Sequence, residues 1–187
     1  MFVFLLILII LQRLTELMLA KRNEKWMKQR GGVEYGREHY PYIVALHVLF
    51  LVSFIAEVLL FDKGLTTYWY IIAPIIVFTQ VIRYWAVFSL GSFWNTRIII
   101  IPNADVVSKG PYRFLKHPNY LVVALEILCI PLLFNAFLTS IMFTLTNVLM
   151  MKVRILAEER ALVNSTNYVS VFQSKNRFLP IMKKTEE

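Results

Sequence analysis

A single cysteine, Cys129, stands in the whole chain, so no intrachain disulfide is possible and no cysteine-based metal cluster can assemble. Glycine is also sparse, with six in 187 residues, and none of them opens a phosphate-cradling loop. No G-x-S-x-G elbow occurs, and no His, Cys and carboxylate spacing resembles a metal site. These absences argue against hydrolase and kinase chemistry and against a bound metal. No Gly/Ser-rich linker, long polar block or internal repeat interrupts residues 1–187, which reads as a single domain.

Charge is scarce as well, at 17% of residues, and its two signs are unequal: 20 Lys and Arg face 12 Asp and Glu. What fills the chain instead is apolar, with 58% hydrophobic and 14% aromatic residues and a mean hydropathy of +0.59. One soluble core of this size would not hide that much apolar surface, so an integral membrane protein is the first inference. The excess of positive charge raises nucleic acid as a partner. The basic residues flank apolar runs, however, and do not form a patch interleaved with exposed aromatics, so no nucleic acid is expected.

An apolar segment of roughly twenty residues crosses a bilayer as a helix. Three are clear: Phe2 to Ala20, Pro41 to Phe61 and Tyr68 to Leu90. The longer region from Tyr120 to Lys152 holds Pro131 and Asn135 near its middle, which predicts two helices in a tight hairpin, about 120–134 and 137–153. The expected fold is therefore all-α, with five transmembrane helices. Residues 91–119 would form a polar loop, and 154–181 a helical tail. Within the loop, the β-branched runs on either side of Pro102-Asn103 predict a small local hairpin.

Basic residues accumulate on the cytoplasmic side of short loops. Six lie in 21–40, four in 91–119 and seven from Lys152 onward, while only Lys63 falls in an opposing loop. This places the N-terminus outside and the C-terminus in the cytoplasm, on the face that also carries residues 109–120. The first segment has no basic region before it and no small-x-small site after it, so it is read as a span and not as a signal peptide.

Chemistry concentrates in Lys109-Gly110-Pro111-Tyr112-Arg113-Phe114-Leu115-Lys116-His117-Pro118-Asn119-Tyr120. Pro118 pushes His117 away from helical geometry and holds its imidazole on an elbow, with the phenol of Tyr120 at the mouth of the next helix. Glu126, inside that helix, is costly at membrane depth unless it is paired or lines a polar cavity, and Arg83 is the obvious partner. Arg13 and Glu16, three apart in the first span, are expected to pair. His47 and Glu57 in the second span are read as structural. After the last span, Arg154 and Glu158 share a helical face, with Glu159 beside them.

The Lys109–Tyr120 stretch resembles the G-P-Y-x-x-x-R-H-P-x-Y signature of the isoprenylcysteine carboxyl methyltransferase family. Glu158-Glu159 stands where that family carries an E-E pair, and Tyr168, Phe172 and Arg177-Phe178-Leu179-Pro180 resemble its aromatic and R-x-x-P tail. The match covers roughly 80 to 181. Lys116 replaces the motif arginine and Phe172 replaces a common tyrosine, which removes a bidentate fork and a hydroxyl.

The resemblance implies an S-adenosylmethionine-dependent methyltransferase that leaves S-adenosylhomocysteine as product. Its cofactor-binding set here would be Tyr112, Lys116, His117, Pro118, Tyr120, Glu126, Glu158 and Glu159, and its catalytic set His117, Tyr120 and Arg154. The short chain looks like bacterial relatives in the plasma membrane, some of which act on alkylpyrone or alkylresorcinol hydroxyls. A lipophilic acceptor carrying a carboxylate or acidic hydroxyl is therefore expected. Phospholipid N-methylation is the near alternative, and a non-catalytic scaffold or small transporter the distant one.

Overall fold

The computed structural model describes residues 1–173 and 175–178. Its helices are α1 (Phe2–Lys28), α2 (Tyr40–Leu60), α3 (Trp69–Leu90), α4 (Pro118–Leu132), α5 (Phe137–Ser165) and the short α6 (Tyr168–Phe172). Strands β1 (Val33–Tyr35) and β2 (Ile98–Ile100) and tight 3-10 turns at Gly91–Phe93 and Gly110–Arg113 complete it. Leu179, Pro180 and the end of the expected cofactor region lie outside the described residues.

Four helices, α1, α2, α3 and α5, are long and apolar enough to cross a membrane. The expected fifth span is not among these four: α4 has 15 residues, the length expected for it, about 22 Å at the helical rise, against a hydrocarbon core of about 30 Å. Prolines set that length: Pro118 opens α4 and Pro131 lies in its last turn. Beyond it Asn135, at φ 55°, makes the tight reversal into α5. α1 and α5 run past their expected ends because the polar stretches that follow, such as Ile155-Leu156-Ala157-Glu158-Glu159-Arg160, remain rich in good helix formers.

α4 packs between α3 and α5, and α2 packs against α5. A core of Phe54, Val58, Ile76, Ile130, Leu133 and Phe134 closes the end of the bundle away from the His117 elbow. Phe2 of α1 packs edge-on against Phe54 and Phe134, with ring centroids 5.3 and 5.2 Å apart. Toward the elbow end, Asn23 holds α1 by donating to the carbonyls of Gly91 (3.1 Å) and Trp94 (2.7 Å).

Glu57 shows why a carboxylate is tolerated inside α2. It accepts hydrogen bonds from the backbone N–H of Leu138 (3.1 Å) and Thr139 (2.7 Å) and from the Thr139 hydroxyl (2.7 Å), capping the first turn of α5 from a neighbouring helix. Glu57→Ala removes all three bonds and leaves the donors buried, and is expected to cost about 1–3 kcal/mol. A thermal melt in detergent checks this; an unchanged melting temperature would dismiss the cap.

The expected hairpin around Pro102-Asn103 does not form. β2 pairs instead with β1 in antiparallel register, Val33 with Ile100 and Tyr35 with Ile98. The second β-branched run is drawn elsewhere: the Asn103 N–H donates to the Ser165 carbonyl (2.8 Å) and the Val106 N–H to the Asn167 side chain (3.0 Å). The loop is thereby pinned to the end of α5.

Candidate active site

The local chain dictates where the elbow sits. Gly110 adopts φ +55°, and a Cβ there would lie 2.0 Å from Ser89 Oγ and 2.9 Å from Trp85 Nε1, so only glycine lets the turn close on the end of α3. That closure buries Tyr112 against Ala86, Tyr168 and Phe172. Burial, with the charge of Glu158 adding to it, pushes the Tyr112 phenol well above its ordinary range, so it remains a neutral hydroxyl.

His117 occupies the cap position of α4 and is 4% exposed. Its Nε2 lies 3.0 Å from Glu159 Oε1. A carboxylate accepts, so Nε2 carries the proton that is shared with Glu159. Glu159 is held in turn by Arg177, at 2.9 Å through Nε and 2.5 Å through Nη2. The tail also binds the elbow backbone, with the Lys116 N–H donating to Asn176 O (3.0 Å) and the His117 N–H to Arg177 O (3.3 Å).

Arg154 and Glu158 share a face of α5 as the spacing requires, but they do not pair directly, because the Tyr120 hydroxyl stands between them. It accepts from Arg154 Nε (2.7 Å) and donates to Glu158. Arg154 Nη2 reaches the Thr96 carbonyl at 2.5 Å. A continuous string therefore runs from the Thr96 carbonyl through a guanidinium and a phenol to a carboxylate, drawing on the loop, α4 and α5.

These groups open on one cavity of about 280 Å³, at the small end of the range for small-molecule sites. Of the residues expected from sequence, Tyr112, Lys116, His117, Tyr120, Arg154 and Glu158 line it. Pro118, Glu126 and Glu159 do not; Pro118 shapes the elbow and Glu159 supports His117 from outside the cavity wall. Four further lining residues carry buried polar atoms without partners among the described residues: Trp94 Nε1, Asn119 Oδ1, Asn147 Nδ2 and Tyr168 OH. Sequence offered Asn119 only as the variable position of the motif and Tyr168 only as an aromatic of the tail.

Glu126 lies outside the cavity lining, among charged partners of its own. Arg83 Nε donates to it at 2.9 Å, Arg13 Nη2 at 2.9 Å and Gln80 Nε2 at 2.7 Å. Arg83 Nη1 also binds both oxygens of Glu16 (2.9 and 3.1 Å), and Arg13 binds Glu16 at 2.8 Å. Two arginines and two glutamates close a neutral ring joining α1, α3 and α4. The carboxylate of Glu126 is spent on that ring, which leaves it no oxygen for a ligand.

Comparison with known proteins adds independent findings. The model of the isoprenylcysteine carboxyl methyltransferase family matches residues 69–164, just over half of the chain. The chain is 48% identical over 162 residues to the uncharacterized protein YpbQ of Bacillus subtilis (strain 168), covering 87% of this chain and 96% of that one. An uncharacterized protein of Haemophilus influenzae is 25% identical over 151 residues, covering 80% and 88%.

Proposed function

The chain belongs to the isoprenylcysteine carboxyl methyltransferase family of membrane methyltransferases, and on that premise we propose that it transfers the methyl of S-adenosylmethionine to an oxygen of a lipophilic acceptor. The observation that carries the proposal is the cavity itself. It joins a polar end, rich in groups that lack partners, to a part between membrane helices where Ile43, Leu46, Val123 and Met150 line it together with Arg13, Glu16, Arg83, His47 and Asn147.

The residues present fit the cofactor. Its amino-acid end needs an anion for the ammonium and a cation or donors for the carboxylate, and its ribose diol suits a carboxylate. Glu158, Arg154, the Trp94 N–H, the Tyr168 hydroxyl and the Asn119 carbonyl supply those types in one place. Bound there, S-adenosylmethionine supplies an already electrophilic methyl group. The chain's own work is then to bring the acceptor oxygen into line and exclude water. Arg154 holds the acceptor anion, and Tyr120 fixes the guanidinium from below. His117, oriented through Glu159, lines the cavity beside Tyr120. A carboxylate, or an acidic hydroxyl such as that of an alkylpyrone, arrives largely ionised and needs no strong base. The balance of basic residues orients this end toward the cytoplasm of a bacterial cell, where the cofactor is made.

Calorimetric titration of S-adenosylhomocysteine into the detergent-solubilised protein tests this. One site is expected in the wild type, weakened at least tenfold in Glu158→Ala and unchanged in Glu57→Ala. Absence of binding to folded wild type overturns the proposal. Labelled methyl on nitrogen of a phospholipid, instead of oxygen, would redirect it to the near alternative.

A further inference from the structure

The cavity lining on α5 follows one stripe, Asn147, Met150, Met151, Arg154, Glu158 and Leu162, at spacings of three and four. Arg154 and Glu158 serve the polar end, and Leu162 lies beyond them. At the other end, two turns before Arg154 and about 10 Å along the helix axis, stands Asn147. It is 4% exposed. Neither its Nδ2 nor its Oδ1 makes a hydrogen bond among the described residues, and Nδ2 is fully shielded. A primary amide at membrane depth without a partner is expensive, and leucine would fill the place more cheaply. The apolar side chains of Leu46, Val123 and Met150, which belong to one packed cluster, line the same cavity and offer it no partner.

The facing wall offers a second group of the same kind. His47 of α2 lines the cavity and has Nδ1 2.8 Å from the Ile43 carbonyl. A carbonyl only accepts, so the proton sits on Nδ1 and the neutral ring keeps Nε2 as an acceptor. An amide and an imidazole nitrogen thus line the cavity below the Arg154–Tyr120 string and outside the family signature, and Arg13, Glu16 and Arg83 line it too, their charges closed on one another in the ring.

We infer that Asn147 is a specificity-determining residue for the acceptor, receiving a second oxygen of an amphiphile's head group, set between the methylated oxygen and the apolar tail. This rests on the methyltransferase reading. It narrows the substrate class to lipophilic molecules with at least two oxygens in the head, and it disfavours heads with only one. Such discrimination is strong because a site built to hydrogen-bond a group leaves its own polar atoms unpaired when that group is missing.

The test compares wild type with Asn147→Leu, using a long-chain 4-hydroxy-6-alkyl-2-pyrone as the two-oxygen probe and a 3-alkylphenol of equal chain length as the one-oxygen probe. Binding of each is followed by intrinsic tryptophan fluorescence in nanodiscs, with and without saturating S-adenosylhomocysteine. Wild type is expected to prefer the pyrone at least tenfold. Asn147→Leu is expected to lose that preference, to keep the wild-type affinity for S-adenosylhomocysteine, and to melt no lower than wild type when ligand-free. A retained pyrone preference in Asn147→Leu, binding of neither probe by wild type, or a lower ligand-free melting temperature overturns the inference. Loss of S-adenosylhomocysteine binding in wild type would instead defeat the methyltransferase reading, and the probe titrations without cofactor would still judge Asn147.

Discussion

Arg83→Met is expected to lower the stability of the protein by about 3–5 kcal/mol, the range measured when one partner of a buried ion pair is removed. Arg83 is 1% exposed and Glu126 2%. Removing the guanidinium strands the Glu126 and Glu16 carboxylates, with only Arg13 and the two glutamine amides left to hold them. Arg13 is a poor substitute, since its side chain is 30% exposed and its two contacts already go one to each glutamate. Chemical denaturation in detergent measures the loss. The companion variant, Arg83→Met with Glu16→Gln and Glu126→Gln, separates a stranded charge from a lost packing element. If charge is the cause, the triple variant recovers most of the stability, a coupling of the size expected for groups in one network. If Arg83→Met melts like wild type, the ring is not what ties α1 to α3 and α4.

That ring also marks the boundary of what the sequence made legible. An acid and a base inside apolar runs must find each other, so Arg83 with Glu126 and Arg13 with Glu16 could each be expected from chemistry alone. What one-dimensional reading could not supply is that the two pairs are one cluster, because helix contacts more than 60 residues apart carry no local signal. The same reason explains the hairpin that failed. β-branched residues around a Pro-Asn turn satisfy every local rule, yet Ile98–Ile100 found a better edge at Val33–Tyr35 while Asn167 captured the other arm. At α4 the length was legible and the register was off by two residues, because Pro118 opens the helix where the apolar run had been counted from Tyr120.

The site divides similarly. That His117, Tyr120, Arg154 and Glu158 gather at one cavity could be expected, because the helix mouth and the helix end that carry them fall on the same face. Their wiring was not, since the i, i+4 spacing of Arg154 and Glu158 gave no hint that a phenol from α4 would stand between them. That Trp94, Asn119 and Asn147 bring unpartnered polar atoms to the cavity was illegible for a plainer reason: whether a polar atom lacks a partner is a property of the folded arrangement and of nothing shorter.

Arg154→Lys is expected to lower kcat toward the alkylpyrone probe on the order of a hundredfold, about 2.7 kcal/mol, the scale set by losing one preorganised donor to a developing or transferred charge. The charge survives the substitution, so a purely coulombic role predicts little change. The geometry predicts otherwise, because Arg154 uses Nε on the Tyr120 hydroxyl and Nη2 on the Thr96 carbonyl. A planar fork can satisfy both contacts and still aim its remaining N–H groups at the cavity. An ammonium on a flexible stem must choose between them. Tyr120→Phe attacks the same link from the other side, by deleting the hydroxyl that fixes the fork and leaving Glu158 without its donor. If the two residues act as one unit, the double variant loses little more than the worse single one. Steady-state kinetics on the three variants, with S-adenosylhomocysteine titrations alongside, decide between these accounts. Additive losses would make Arg154 and Tyr120 independent contacts, and wild-type kcat in Arg154→Lys would remove the guanidinium from the reaction altogether.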